Sequence, residues 1–111
     1  MTDYNAKADE GKLPLHEVPR ELIYGAAEAK LFGTGKYGSS ENWKTVEIER
    51  FQGALLRHFM AYLDGEMIDE ESALKHLSCA ACNLAYIMWM EAQKEKGEND
   101  GYNNDDSDRC R

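Results

Sequence analysis

The apolar positions of this chain fall into two long helical stripes separated by an acidic break. At about 100° per residue, Glu47, Phe51, Ala54, His58 and Tyr62 share one face, bordered by Leu55 and Phe59. After the break, Ser72, His76, Cys79, Asn83 and Tyr86 share a second face, bordered by Ala80, Leu84 and Ile87. The pattern predicts a helix from a Thr45 N-cap to about Asp64, closed by Gly65. It predicts another from Glu70 to about Lys96, with Asp69 as N-cap. A shorter helix precedes both. Pro19 suits its first turn, Leu22, Ala26 and Ala29 share a face with Gly25 beside them, and Gly33 stops it after about Phe32. The apolar arc of the third helix takes in Leu74, Leu77, Ala81, Leu84, Ala85, Ile87 and Met88, more than two neighbours can cover. The expected fold is all-α, a small bundle of three main helices completed by oligomerisation, most simply as a dimer.

Outside the helical pattern the chain is polar. Residues 1–10 are expected to be mobile, residues 11–96 to form a single helical domain, and residues 97–111 to be a disordered acidic tail. One domain fits 111 residues, with a core too small to be generous. The 21 acidic and 13 basic residues give a net charge of −8. Five acids in Asp64–Glu71 (Asp64, Glu66, Asp69, Glu70 and Glu71) carry −5 of it, and the tail carries the other −3. Without a basic stripe, the chain is not expected to bind nucleic-acid polymers or anionic membranes. No apolar run approaches the ~20 residues of a membrane span, and the first fifteen residues lack a signal-peptide core. A cytoplasmic location is expected. Cys79 and Cys82 form a CxxC without a second pair and inside a helix, so both read as ordinary small residues. Cys79 is expected to point inward and Cys82 about 60° further toward solvent.

Two stretches carry candidate chemistry. His58 lies six residues before Asp64 and His76 seven after Asp69. In an antiparallel hairpin the two imidazoles would sit at similar depth and face one another, roughly 10 Å behind the carboxylates. Inward histidines, an inward amide at Asn83 and a carboxylate cluster suit a metal or phosphate-handling site. The other stretch is Gly33–Lys44, GTGKYGSSENWK. Its GxGxxG follows a helix, not a strand, and Lys36 precedes Tyr37, so neither a dinucleotide fingerprint nor a Walker A loop applies. It reads as a flexible loop in which Lys36, Tyr37, Asn42 and Trp43 are suited to a phosphate and a base. Arg50 and Arg57 share a face next to His58 and offer a phosphate-facing edge.

The ordered set GK.P…VP..L (Gly11, Lys12, Pro14, Val18, Pro19, Leu22), KYG at 36–38, NW at 42–43, ALLRH..A…GE..D.ES at 54–72 and L.HL..AACN at 74–83 resembles a known family. It is similar to the phage-associated dATP/dGTP diphosphohydrolase N-terminal domain family, itself similar to MazG-like all-α nucleotide pyrophosphohydrolases. The resemblance implies a metal-dependent hydrolase that converts a (d)NTP to (d)NMP and pyrophosphate. It implies Mg²⁺ or Mn²⁺ as cofactor, a purine (deoxy)nucleotide as ligand, a homo-oligomer, and host cytoplasm if the gene is phage-borne. Carried onto this chain, it implies metal binding by Glu66, Asp69, Glu71 and His76, and catalytic roles for His58, Glu71 and His76. Nucleotide binding would fall to Lys36, Tyr37, Asn42, Trp43, Arg57 and Asn83. Two departures stand out: the family commonly reads ESGL.HL.HA, whereas this chain has Ala73 for the glycine and Cys79 for the second histidine. They raise the alternative of a silent nucleotide binder that sequesters a host cyclic-nucleotide immune signal.

Overall fold

The computed structural model describes residues 11–98, so the expectations for residues 1–10 and for the tail beyond Glu98 lie outside the described residues. Three α-helices dominate: α1 Arg20–Tyr37, α2 Ile48–Leu63 and α3 His76–Glu98. Single 3-10 turns at Leu15–Glu17 and Asn42–Thr45 precede α1 and α2. Among the described residues there is no β-strand, only an isolated antiparallel bridge between Ile68 and Lys75. The all-α expectation is met, and both flanking helices pack on α3.

The first helix starts where expected, with Pro19 one position earlier, at the N-cap. It does not stop at Gly33. The chain stays helical through Gly33 and Gly35 and ends at Gly38, whose φ of 73° is left-handed and whose N–H donates to Thr34 O at 2.8 Å. A glycine in helical conformation is tolerated at modest cost; the left-handed position is the one that selects glycine. The stretch expected to be a flexible loop is therefore half helix.

The second helix begins at Ile48, not directly after Thr45. The Thr45 hydroxyl instead donates to Asn42 O at 2.9 Å and closes the 3-10 turn. At its other end Gly65, with φ 99°, reverses the chain as expected.

The largest difference lies between Glu66 and Lys75. Asp69 does not cap a helix at Glu70. Its Oδ2 accepts from Ser72 N–H at 2.9 Å and Ser72 Oγ–H at 2.8 Å, while Ala73 turns left-handed at φ 63°. Such an Asp turn competes with helix for the same backbone donors. A left-handed alanine then forbids continuation. Asp69 N–H bonds to Leu74 O at 2.7 Å and His76 N–H to Met67 O at 2.8 Å, so the segment folds back on itself like a short hairpin before α3 begins.

Small residues set the packing. Gly25 is the buried residue of α1, and a Cβ there would sit 2.9 Å from Ser78 Oγ and 3.4 Å from Ser78 Cα. The absent side chain lets α1 lie closely against α3. The buried residues of α3 are His76, Ser78, Cys79, Ala80 and Cys82. Cys82 does not turn toward solvent, because α1 and α2 together cover both sides of α3. Among the described residues no large side chain is fully enclosed, while Leu22, Leu77 and Leu84 stay exposed.

Candidate functional site

The return of the 66–75 segment changes where the carboxylates sit. They are not stacked in front of the histidines at a distance of two helical turns. Glu66 Oε2 lies 3.1 Å from His76 Nε2, and the closest donor atoms of His58, Asp69 and His76 all fall within 4.8 Å of one another. The two imidazoles do face each other, with Nδ1 to Nδ1 at 2.9 Å and ring centroids 5.1 Å apart. Each follows from local structure. His58 sits in the third turn of α2 on the face turned to α3, and His76 is the first residue of α3, held by its N–H to Met67 O.

Protonation follows from the partners. A carboxylate at Nε2 keeps the proton of His76 on that nitrogen, leaving the Nδ1 lone pair pointing at His58. In the free chain His58 Nδ1–H then donates to it. Burial pushes the His58 imidazole below its ordinary pKa, opposed by the Asp69 carboxylate and reinforced by His76 and Arg57. For Asp69, burial pushes the carboxyl up, but the hydrogen bonds from Ser72 outweigh it and leave the pKa below the usual range. Burial also raises the Cys79 and Cys82 thiols, so neither is primed as a nucleophile.

His58, Asp69, Cys79 and Cys82 line a cleft of about 620 Å³, within the size range of small-molecule sites. Lys36 and Tyr37 reach it from α1, Asn42 and Trp43 from the 3-10 turn, Arg50 and Arg57 from α2, and Glu71, Ser72 and Asn83 from the hairpin and α3. Of the residues expected from sequence, Glu66 and His76 do not line the cleft: His76 is buried, and Glu66 sits at its Nε2. Glu71 is paired with Lys36 across the mouth, and that bond raises the lysine pKa. Among the described residues, Glu66, Asp69 and Glu71 do not come together as an all-carboxylate cluster; the converging set is His58, Asp69 and His76. Asn83 Nδ2 donates to Cys79 O at 2.8 Å, back onto its own helix.

The aromatic residues divide. Trp43 stacks on Tyr86 with centroids 4.4 Å apart and meets the edge of Trp89 at 4.9 Å, so one of its faces is covered from within the chain. Tyr37 is 64% exposed at the cleft mouth. Cys79 Sγ lies 3.7 Å from Ser72 Oγ, at the position where the family pattern has its second histidine. Lys30 also lines the cleft, its ammonium donating to Ser40 O at 2.7 Å, and sequence reasoning did not mark it. The signal was its spacing: once α1 continues past Gly33, Lys30, Thr34 and Tyr37 share a face.

Among the described residues no helix is long and apolar enough to cross a membrane. No curated protein and no solved structure matches this chain. The family model described as dATP/dGTP diphosphohydrolase, N-terminal, matches residues 2–100, nearly the whole chain, and the chain belongs to that family.

Proposed function

We propose that the chain is a metal-dependent nucleoside triphosphate diphosphohydrolase that takes a purine (deoxy)nucleotide and releases the monophosphate and pyrophosphate. The carrying observation is the cleft itself, where Lys36, Arg50 and Arg57 line a space of nucleotide size together with His58, Asp69 and Glu71, and where His76 joins the first two of these from beside it. Family membership supports the substrate class.

In this reading the triphosphate lies along the cationic side, with Lys36 and Arg57 neutralising phosphate oxygens and Tyr37 offering its exposed ring to the base. In the free chain Lys36 and Glu71 satisfy one another; an incoming phosphate competes for Lys36 and frees the Glu71 carboxylate. Asp69 and Glu71, together with the phosphates, would hold Mg²⁺ or Mn²⁺, since Mg²⁺ is usually bound by one or two carboxylates plus substrate oxygens. The ion supplies charge neutralisation at the phosphates and a more acidic water. A water oxygen bonds to the α-phosphorus, the bond to the bridging α–β oxygen breaks, and pyrophosphate leaves with the electron pair. The proton lost by water goes to a neutral base, and His58, kept neutral by burial, is suited to accept it. We place this function in a homo-oligomer, because a single copy leaves much of its apolar surface uncovered.

The test is incubation of the purified chain with a panel of dNTPs, NTPs and cyclic oligonucleotides, with Mg²⁺ and then Mn²⁺, resolved by chromatography. A monophosphate plus pyrophosphate is expected. Asp69→Asn and Glu71→Gln should each lower turnover by about 10²–10⁴-fold with unchanged helical circular dichroism; wild-type rates in both would refute the carboxylate roles. Replacement of the family's histidine by Cys79 favours a second reading, a binder that sequesters a nucleotide. Thermal stabilisation by a nucleotide that stays intact would select it.

A further inference from the structure

The geometry points to a resident first-row transition-metal ion on Nδ1 of His58, Nδ1 of His76 and a carboxylate oxygen of Asp69. Its part in turnover, in which a hydroxide on the ion would replace His58 as the base, rests on the hydrolase reading; its existence rests on the donor geometry. Two nitrogens bound to one ion at about 2.0–2.1 Å, at angles of roughly 90–109°, lie roughly 2.8–3.4 Å apart. The two Nδ1 atoms are 2.9 Å apart. The Asp69 carboxylate shares the spot, one of its oxygens within 4.8 Å of a ring nitrogen of each histidine.

The surroundings are those of ligands held in place. Glu66 Oε2 accepts from His76 Nε2–H at 3.1 Å, the carboxylate–histidine arrangement that fixes a metal-binding tautomer and raises the basicity of the other nitrogen. The Ser72 hydroxyl and amide both donate to Asp69 Oδ2 at 2.8 and 2.9 Å. Among the described residues, Oδ1 has no hydrogen-bond partner and is left to bind. His76 is 5% exposed, so its Nδ1 lone pair turns inward, to where an ion would sit. Two imidazoles among three donors suit Zn²⁺, Fe²⁺, Co²⁺, Ni²⁺ or Mn²⁺ much better than Mg²⁺, a hard cation that takes oxygen. This ion is therefore distinct from Mg²⁺ carried in on a nucleotide, which with the resident ion in place would keep Glu71 and the phosphate oxygens as its partners. Three protein ligands leave coordination positions open, and two of the ligands, His58 and Asp69, line the cleft, which marks a catalytic and not a structural site.

The test uses the full chain, stripped with a chelator, freed of any affinity tag and titrated without nucleotide. Co²⁺ should bind at one equivalent with visible d–d absorption, and Zn²⁺ should raise the thermal midpoint where equimolar Mg²⁺ does not. Glu66→Gln and Ser72→Ala, which keep the three ligands, should weaken Co²⁺ binding by about 10–100-fold, and His58→Gln by more. His58 is only half-buried, so that variant is expected to fold, as circular dichroism will verify. No Co²⁺ or Zn²⁺ uptake by the wild type, equal response to Mg²⁺, or undiminished binding by folded His58→Gln would each overturn the site. Metal uptake without nucleotide turnover would uphold the site and sink the hydrolase reading. Turnover by a chain that takes up no transition metal would do the reverse.

Discussion

Ala73 is the one non-glycine among the described residues with a left-handed backbone, at φ 63°, and it stands where the family pattern places glycine. The conformation is imposed by the turn that Asp69 and Ser72 build. For alanine it costs roughly 1–2 kcal/mol, and the gain from glycine is partly offset by its freer unfolded chain, about 0.4–1 kcal/mol. Ala73→Gly should therefore stabilise the protein by up to about 1 kcal/mol, measured by urea unfolding. A loss of stability would show that the turn does not hold this residue left-handed. At this scale the candidate site was partly legible. The facing of His58 and His76 followed from their matched depth in a hairpin, and Lys36, Arg57 and Asn83 followed from the motif. The contact of Glu66 with His76 was not, because it depends on a turn whose residues read equally well as a helix start.

At the scale of elements, the same ambiguity explains both boundary differences. Asp-x-x-Ser ahead of an apolar run satisfies the rules for an N-cap and for an Asp turn, and periodicity does not separate them. Likewise Gly33, Gly35 and Gly38 each satisfy the rule for a helix end. What distinguishes Gly38 is its αL backbone and its N–H to Thr34 O, which no spacing reveals. The element test is a pair of substitutions. Gly33 is helical, and a Cβ there meets nothing within 4 Å, so Gly33→Ala should stabilise by about 0.5–1 kcal/mol. Gly38→Ala also meets open space but carries φ 73°, so it should destabilise by about 1 kcal/mol or more. Chemical denaturation of the two variants gives opposite signs if α1 ends at Tyr37. Matching signs would return the helix end to Gly33 and withdraw Lys30 from the cleft wall.

For the whole molecule, the question is what covers the side opposite the cleft. There α1, α2 and α3 leave a groove of about 900 Å³ lined by Leu22, Leu55, Phe59, Leu77, Ala81 and Leu84 among others. Leu22 is 51% exposed and Leu84 43% in the single chain. The enclosed residues are small or polar, and a domain of this size gains little stability from such a core alone. We propose a second copy of the chain as its occupant. The groove carries Glu21 and Glu28 on α1 and Lys75 before α3, and a two-fold interface meets itself, setting the acids of one copy toward the lysine of the other. The wide apolar arc of α3, legible in the sequence, is covered in part by α1 and α2, and a second copy would cover the part left exposed at Leu77, Leu84 and Met88. The expected outcome is a dimer by light scattering and a thermal midpoint that rises with protein concentration. Leu84→Glu decides the matter. On a free surface it exchanges one exposed side chain for another and should change stability by no more than about 0.5 kcal/mol. In a covered face it places an unpaired carboxylate against apolar surface, so the variant should become monomeric, lose the concentration dependence and melt lower. A Leu84→Glu variant with wild-type mass and midpoint would mean that the groove is not the interface.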